Sequence, residues 1–211
     1  MSEPPLNTGV EGVHAHPPHT GRRWVDVAIA ISAITISVVS LFVAVENGRT
    51  ERKLVAANSW PFLVFSSQQT GLVQGSRTVT LRVENDGVGP ARIQSVIVRW
   101  NGAPVRTHGE FLSRCCGMPD ADFAGQIKLG VVSENSIVGV LPPRGGVDFL
   151  ALQERSGNAT IWNALNEARH ALTFDACYCS VLDECWRTDL RSTTAPRPVR
   201  QCTVDVHGYT Q

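Results

Sequence analysis

Nineteen consecutive residues, 27–45, VAIAISAITISVVSLFVAV, carry no formal charge and are dominated by Ile, Val, Leu and Phe. At about 1.5 Å per helical residue, such a run matches a hydrocarbon core of about 30 Å. Inside a bilayer every backbone polar group must find its partner within the segment, so helix is the available conformation even for a run rich in β-branched residues. Arg22, Arg23, Trp24 and Asp26 precede the run; Glu46, Arg49, Glu51, Arg52 and Lys53 follow it. The run therefore reads as one transmembrane helix over residues 24–45, with the lipid bilayer as its first partner. A cleaved signal peptide would have a shorter apolar region and a small-residue cleavage site, and Val43-Ala44-Val45-Glu46 is a poor one. The anchor is expected to be retained, and no later segment approaches a second span.

Within the span, Ala30, Ala33, Ser37, Ser40 and Ala44 recur at spacings of three and four, in line with Asp26 and Asn47. Small residues on one stripe let two helices approach closely, and Ser adds hydroxyl partners. This stripe is a candidate helix-association face, through which a second copy or a partner membrane protein would bind. Ala and Ser are also common in membrane helices generally, so the stripe weighs equally as composition.

The remaining chain divides by composition. Residues 1–23 contain four prolines and no apolar periodicity, and read as a disordered tail. Its His14, His16 and His19 lack an acidic or thiolate companion and are expected to bind no metal. Residues 46–59 form a polar juxtamembrane stalk that continues the helix until Pro61 ends it. Residues 60–211 alternate short Val, Ile and Thr runs with Gly, Pro and Asn turns. WPFLVFSS, RTVTLRVEN and ARIQSVIVRW are strand-like, and Asn101-Gly102 marks a hairpin folding residues 98–100 back on residues 105–107. Further strands are expected at residues 130–132, 137–141, 147–152, 171–181, 185–190 and 203–206. Two short helices interrupt them. One is NATIWNALNEARH, with Ile161, Trp162, Leu165 and Ala168 on one face and Asn158 as its cap; the other is GEFLSRCC. The expected fold is mainly β: a small β-sandwich, Ig-like, tethered by the N-terminal helix.

Six cysteines, Cys115, Cys116, Cys177, Cys179, Cys185 and Cys202, are the candidate disulfide set. In an extended strand Cys177 and Cys179 share one face with Cα atoms about 6.6 Å apart, poorly placed to bond each other. Joining Cys115 to Cys116 would close a strained vicinal ring. Six cysteines allow fifteen complete pairings. A two- or four-residue hairpin loop sets Cys179 opposite Trp186, whereas a three- or five-residue loop sets it opposite Cys185. Bonds from this hairpin to Cys115 or Cys116 are preferred, because closing roughly sixty residues constrains the unfolded chain by several kcal/mol. Trp186 should anchor a strand face. Zinc held by Cys177, Cys179, Cys185 and one of Cys115 or Cys116 is the minority reading, since no Cys-x-x-Cys knuckle exists. A reactive thiol is disfavoured by neighbouring Asp183 and Glu184.

With the N-terminal span, SWPFL at residues 59–63, VENDGVGPARI at 83–93 and CYCSVLDECW at 177–186, the chain resembles a family of uncharacterised bacterial single-pass membrane proteins. That resemblance implies a bacterial inner membrane and a small β domain, and it supplies no activity, ligand or catalytic residue. Gly87-Val88-Gly89 begins a nucleotide-binding fingerprint, but neither a third glycine nor a following helix completes it, so the segment reads as a turn.

Nineteen basic and nineteen acidic residues cancel, which gives no global field to attract nucleic acid. No Gly-x-Ser-x-Gly elbow or His-Glu-x-x-His helix is present, and His108, His170 and His207 stand apart in sequence. The expected function is therefore non-catalytic and without a cofactor: a membrane-anchored β domain that binds a protein partner or a small envelope ligand. The alternative is a cysteine-based metal or redox sensor. The flanking charges lean by one toward a cytoplasmic domain, while a dense, even cysteine set leans toward an oxidising compartment. The periplasmic side is preferred.

Overall fold

The computed structural model describes residues 23–73, 76–118, 130–132, 136–203 and 208–209. The chain divides into two compact units, Met1–Glu51 and Arg52–Gln211. Helix α1, Arg23–Asn58, is long and apolar enough to cross a membrane. At 36 residues it continues through the predicted stalk, as the polar composition after residue 45 allows. Residues 1–22, with the three tail histidines, lie outside the described residues.

The second unit is built mainly of strands in two antiparallel sheets. One sheet runs β1 (Leu63–Thr70), β2 (Thr78–Asn85), β7 (Gly146–Gln153), β5 (Val131–Val132). The other runs β10 (Arg197–Val199), β9 (Cys185–Thr188), β8 (Leu172–Cys179), β3 (Ala91–Trp100), β4 (Ala103–Val105), with β6 (Gly139–Leu141) paired to β3. Strand β2 alternates half-buried with buried positions, and its Val79, Leu81 and Val83 reach full burial. They share one core with Ile93, Val96 and Val98 of β3 and with Phe174, Ala176 and Tyr178 of β8. Phe65 stacks 4.3 Å from Phe174, linking the two sheets directly.

Local signals account for several boundaries. Asn101 and Gly102 take φ of 50° and 80°, and the hairpin closes with Trp100 opposite Ala103 and Val98 opposite Val105. Helix α2, His108–Cys116, starts where Thr107 accepts from Glu110 N at 3.0 Å and ends at Gly117 with φ 64°. Helix α3, Ala159–Ala168, buries Trp162, Leu165 and Ala168 as its periodicity requires. Its expected cap works differently. The Asn158 side chain accepts from Arg155 N at 2.7 Å and donates to Gln153 O at 2.8 Å, closing the preceding loop rather than the helix end. Strand β10 is not among the expected strands; it contains Pro198, whose missing N–H costs nothing at a sheet edge. Of the strand expected at 203–206, Thr203 is outside any strand and the rest lies outside the described residues.

The SWPFL and VENDGVGPARI segments are one structural joint. Trp60 O accepts from Val88 N (3.0 Å) and Gly89 N (3.2 Å), and Phe62 O accepts from Asp86 N (2.8 Å). A Cβ on Gly89 would lie 2.1 Å from Ser59 O, and one on Gly87 would lie 2.4 Å from Phe62 N. Both glycines are therefore needed for the backbone approach itself. Asn85, fully buried, accepts from Phe62 N and Gly87 N and donates to the Gly89 and Leu141 carbonyls. The turn reading of this segment holds.

Candidate functional site

The β8–β9 hairpin adopts the five-residue loop: Cys179 faces Cys185, and Ser180 N donates to Glu184 O at 2.8 Å. Asp183 takes φ 61° there and pairs with Arg92, which partly offsets the acidic pair expected to disfavour thiolates. Alternation along β8 sends Phe174, Ala176 and Tyr178 into the core and Asp175, Cys177 and Cys179 to the opposite face. Trp186 sits on the core side, 5.8 Å from the ring of Tyr178, the strand-face anchor expected of it. The buried Tyr178 hydroxyl donates to Pro61 O at 3.3 Å, and loss of hydration pushes its pKa up to about 12.

The outer face of the second sheet carries two clusters. At one end lie four sulfurs. Cys177 and Cys202 are at bonding distance with Cα atoms 5.6 Å apart, and Cys179 and Cys185 likewise with Cα atoms 4.0 Å apart. The Sγ atoms of Cys179 and Cys202 stand 3.8 Å apart, so the two pairs touch. Cys177, Cys179 and Cys185 are buried although they lie away from the core, and Cys202 is half-buried.

The third pair, Cys115 with Cys116, closes on itself at the end of α2. This corrects the expected connection from the hairpin to Cys115 or Cys116. Cys116 belongs to the core cluster and Cys115 packs against it, whereas the hairpin cysteines lie on the far side of their sheet. The sheet separates the two groups, and loop-closure entropy cannot overcome that. It also removes Cys115 and Cys116 from the zinc set considered above; the sulfurs that lie within 4.8 Å of one another are those of Cys179, Cys185 and Cys202.

At the other end of the face is an arginine-lined groove of about 350 Å³, bounded by Arg99, Asp175, Arg187, Thr188, Asp189, Thr194 and Arg197. Arg187 and Arg197 stand directly opposite each other on β9 and β10. Like charges in that position repel. Arg187 is held by Asp175 at 2.9 Å; among the described residues Arg99 and Arg197 make no ion pair. No local pattern in the sequence marks these three arginines. Alternation in DACYC and CWR does put Asp175, Cys177 and Arg187 on faces of one kind, but only the register of β8, β9 and β10 brings them together.

In the candidate association stripe, Ser37 donates back to Ala33 O at 2.8 Å, so its proton is satisfied within the helix and its oxygen remains as an acceptor. Ala30, Ala33, Ser37, Ser40 and Ala44 are exposed. His108 begins α2 and His170 lies in the turn after α3, in separate elements; His207 is outside the described residues. Compared with protein-family models, curated proteins and solved structures, the chain gives no match.

Proposed function

We propose that this protein is a non-catalytic, membrane-anchored β domain that binds a small envelope ligand bearing a carboxylate or phosphate. The observation that carries the reading is the groove in which Arg99 and Arg197 make no ion pair among the described residues, beside the Asp175-held Arg187. Guanidinium groups match planar, bidentate anions, and an anion between Arg187 and Arg197 would relieve their repulsion. The two sheets are read as a small Ig-like sandwich. The anchor is read as a single pass through a bacterial inner membrane, in keeping with the resemblance carried by SWPFL, VENDGVGPARI and CYCSVLDECW. Three cysteine pairs at bonding distance favour placing the domain in the periplasm, since disulfides persist in oxidising compartments.

The test uses the full chain in detergent, with thermal unfolding followed in inorganic phosphate and in succinate against chloride at equal ionic strength. A ligand at a hundred times its Kd stabilises by about 2.7 kcal/mol, an easily read rise in Tm. At least one of the two anions should raise Tm for the native chain and neither should for Arg99→Ala/Arg197→Ala. An unchanged Tm in both anions, or a rise that survives the double substitution, would remove the proposal.

A further inference from the structure

We propose that Cys177, Cys179, Cys185 and Cys202 form a redox-gated tetrathiolate zinc site: two disulfides when oxidised, one metal centre when reduced. The inference does not rest on anion binding in the arginine groove, with which it shares only Arg187, or on the side of the membrane.

Geometry points first. The Sγ atoms of Cys179, Cys185 and Cys202 all lie within 4.8 Å of one another, and Cys177 joins them through its bond to Cys202. A tetrahedral site with Zn–S of about 2.3 Å has sulfur–sulfur edges of about 3.8 Å. The Cys179 to Cys202 distance between the two disulfides is already 3.8 Å. Cutting the two bonds frees all four side chains to turn about their Cα–Cβ bonds, the movement by which the remaining edges, those of Cys177 included, would reach that length. Three ligands stand on adjacent, hydrogen-bonded strands, Cys177 and Cys179 on β8 and Cys185 on β9. The fourth follows edge strand β10. The Cys-x-x-Cys knuckle missing from the sequence is replaced by sheet register.

The surroundings suit a metal thiolate. Cys177, Cys179 and Cys185 are between 4% and 8% exposed, which shields the sulfurs from water. Zinc with four thiolates carries two net negative charges, and two arginines stand in register with the cluster: Arg92, also paired with Asp183, opposite Cys179, and Arg187, also paired with Asp175, opposite Cys177. The Arg92 guanidinium pairs with Asp183 through Nη2, while its buried Nε has no acceptor among the described residues. An N–H without an acceptor beside a sulfur row is the kind of outer donor that metal-bound thiolates take up.

The chemistry balances with a dithiol reductant. Two equivalents deliver four electrons and four protons, opening Cys177–Cys202 and Cys179–Cys185 to four thiols while each reductant molecule closes to its own disulfide. Zn²⁺ then displaces the four thiol protons into solvent, with no change in its oxidation state.

The experiment reduces the full chain in detergent with an excess dithiol, removes the reductant without air, and titrates with Co²⁺ as a spectroscopic probe before displacing it with Zn²⁺. One Co²⁺ per chain, with thiolate charge-transfer and tetrahedral d–d bands that Zn²⁺ bleaches, is expected from reduced protein and not from oxidised protein. Cys202→Ser should weaken binding by at least about tenfold, the lower end of what even an outer-shell partner contributes. Cys115→Ser/Cys116→Ser should leave binding unchanged. Circular dichroism on each variant separates loss of a ligand from loss of fold, and the spectrum of the unsubstituted chain decides the coordination by itself. Absence of cobalt–thiolate bands in the reduced native chain, equal binding by the oxidised chain, or dependence on Cys115 and Cys116 instead of Cys202 would overturn the proposal.

Discussion

Asn85 shows what a single side chain does in this domain. Its amide uses both ends: the oxygen accepts from Phe62 N and Gly87 N, and the nitrogen donates to the carbonyls of Gly89, Leu141 and Pro142. No other side chain of that size offers an acceptor and two donors in one plane. Asn85→Asp would present a carboxylate to several carbonyls with no water to separate them. A loss of about 3 kcal/mol is expected, the scale for a buried polar group set against mismatched partners. Urea denaturation of the full chain in detergent checks it, and a change below about 0.5 kcal/mol would show that the joint between Trp60 and Gly89 does not depend on this amide. Asn85 was visible in the sequence only as part of a turn-like string. Its partners Leu141 and Pro142 are more than fifty positions away.

At the scale of elements, the long apolar run was the most legible part of the chain, because span length and backbone satisfaction depend on the segment alone. The association stripe on α1 is a narrower expectation. Ala30, Ala33, Ser37 and Ser40 lie along one side of the helix by their spacing, and large residues there would hold two helices apart. In a membrane two-hybrid measurement, Ala33→Leu with Ser37→Leu should reduce self-association several-fold, while Ile31→Leu with Val38→Leu should leave it unchanged. Equal effects from both pairs would show that the stripe is composition and nothing more. The hairpins divide instructively. Asn101-Gly102 formed the expected turn through two residues that tolerate positive φ, but the two-residue loop pairs residues 98–100 with 103–105 and not with the expected 105–107. The register of Cys179 against Cys185 needed the loop length, which the sequence left open between readings that place different residues together.

The whole molecule depends on a core shared by two sheets and closed by aromatic residues from distant parts of the chain. Tyr209 reaches Phe149 at a centroid distance of 5.9 Å, and its backbone N donates to Val96 O at 2.7 Å. Burial raises the pKa of both Tyr209 and Tyr178, the latter to about 12. For both, the folded state favours the neutral phenol. Their contribution is fully present below the unfolded pKa of about 10 and is lost as pH rises toward the folded values, because the unfolded chain releases protons that the folded chain keeps. Tm should therefore fall between about pH 10 and 12, with Tyr178 contributing up to about 2 kcal/mol of the loss. Tyr178→Phe should flatten the profile over that window. A profile identical to that of the native chain would mean that Tyr178 ionises as readily folded as unfolded.

The sequence by itself determined the features that close over a short stretch: the long apolar helix, the Asn-Gly turn, the amphipathic face of α3, the alternation that puts Cys177 and Cys179 on one face, and the mainly β character. Each depends on neighbours within about ten residues, where periodicity and turn chemistry operate. Only the tertiary structure decided that Cys202 and not Cys115 or Cys116 meets the hairpin, that Arg99, Arg187 and Arg197 line one groove, and that Asn85 ties three chain segments together. Which side of a sheet a residue occupies, and what crosses over it, follows from how strands far apart in sequence pair. That pairing is set by the joint burial of Val79, Leu81, Ile93, Phe174 and the rest of the core, an energy that belongs to the assembled sheets and to no single segment.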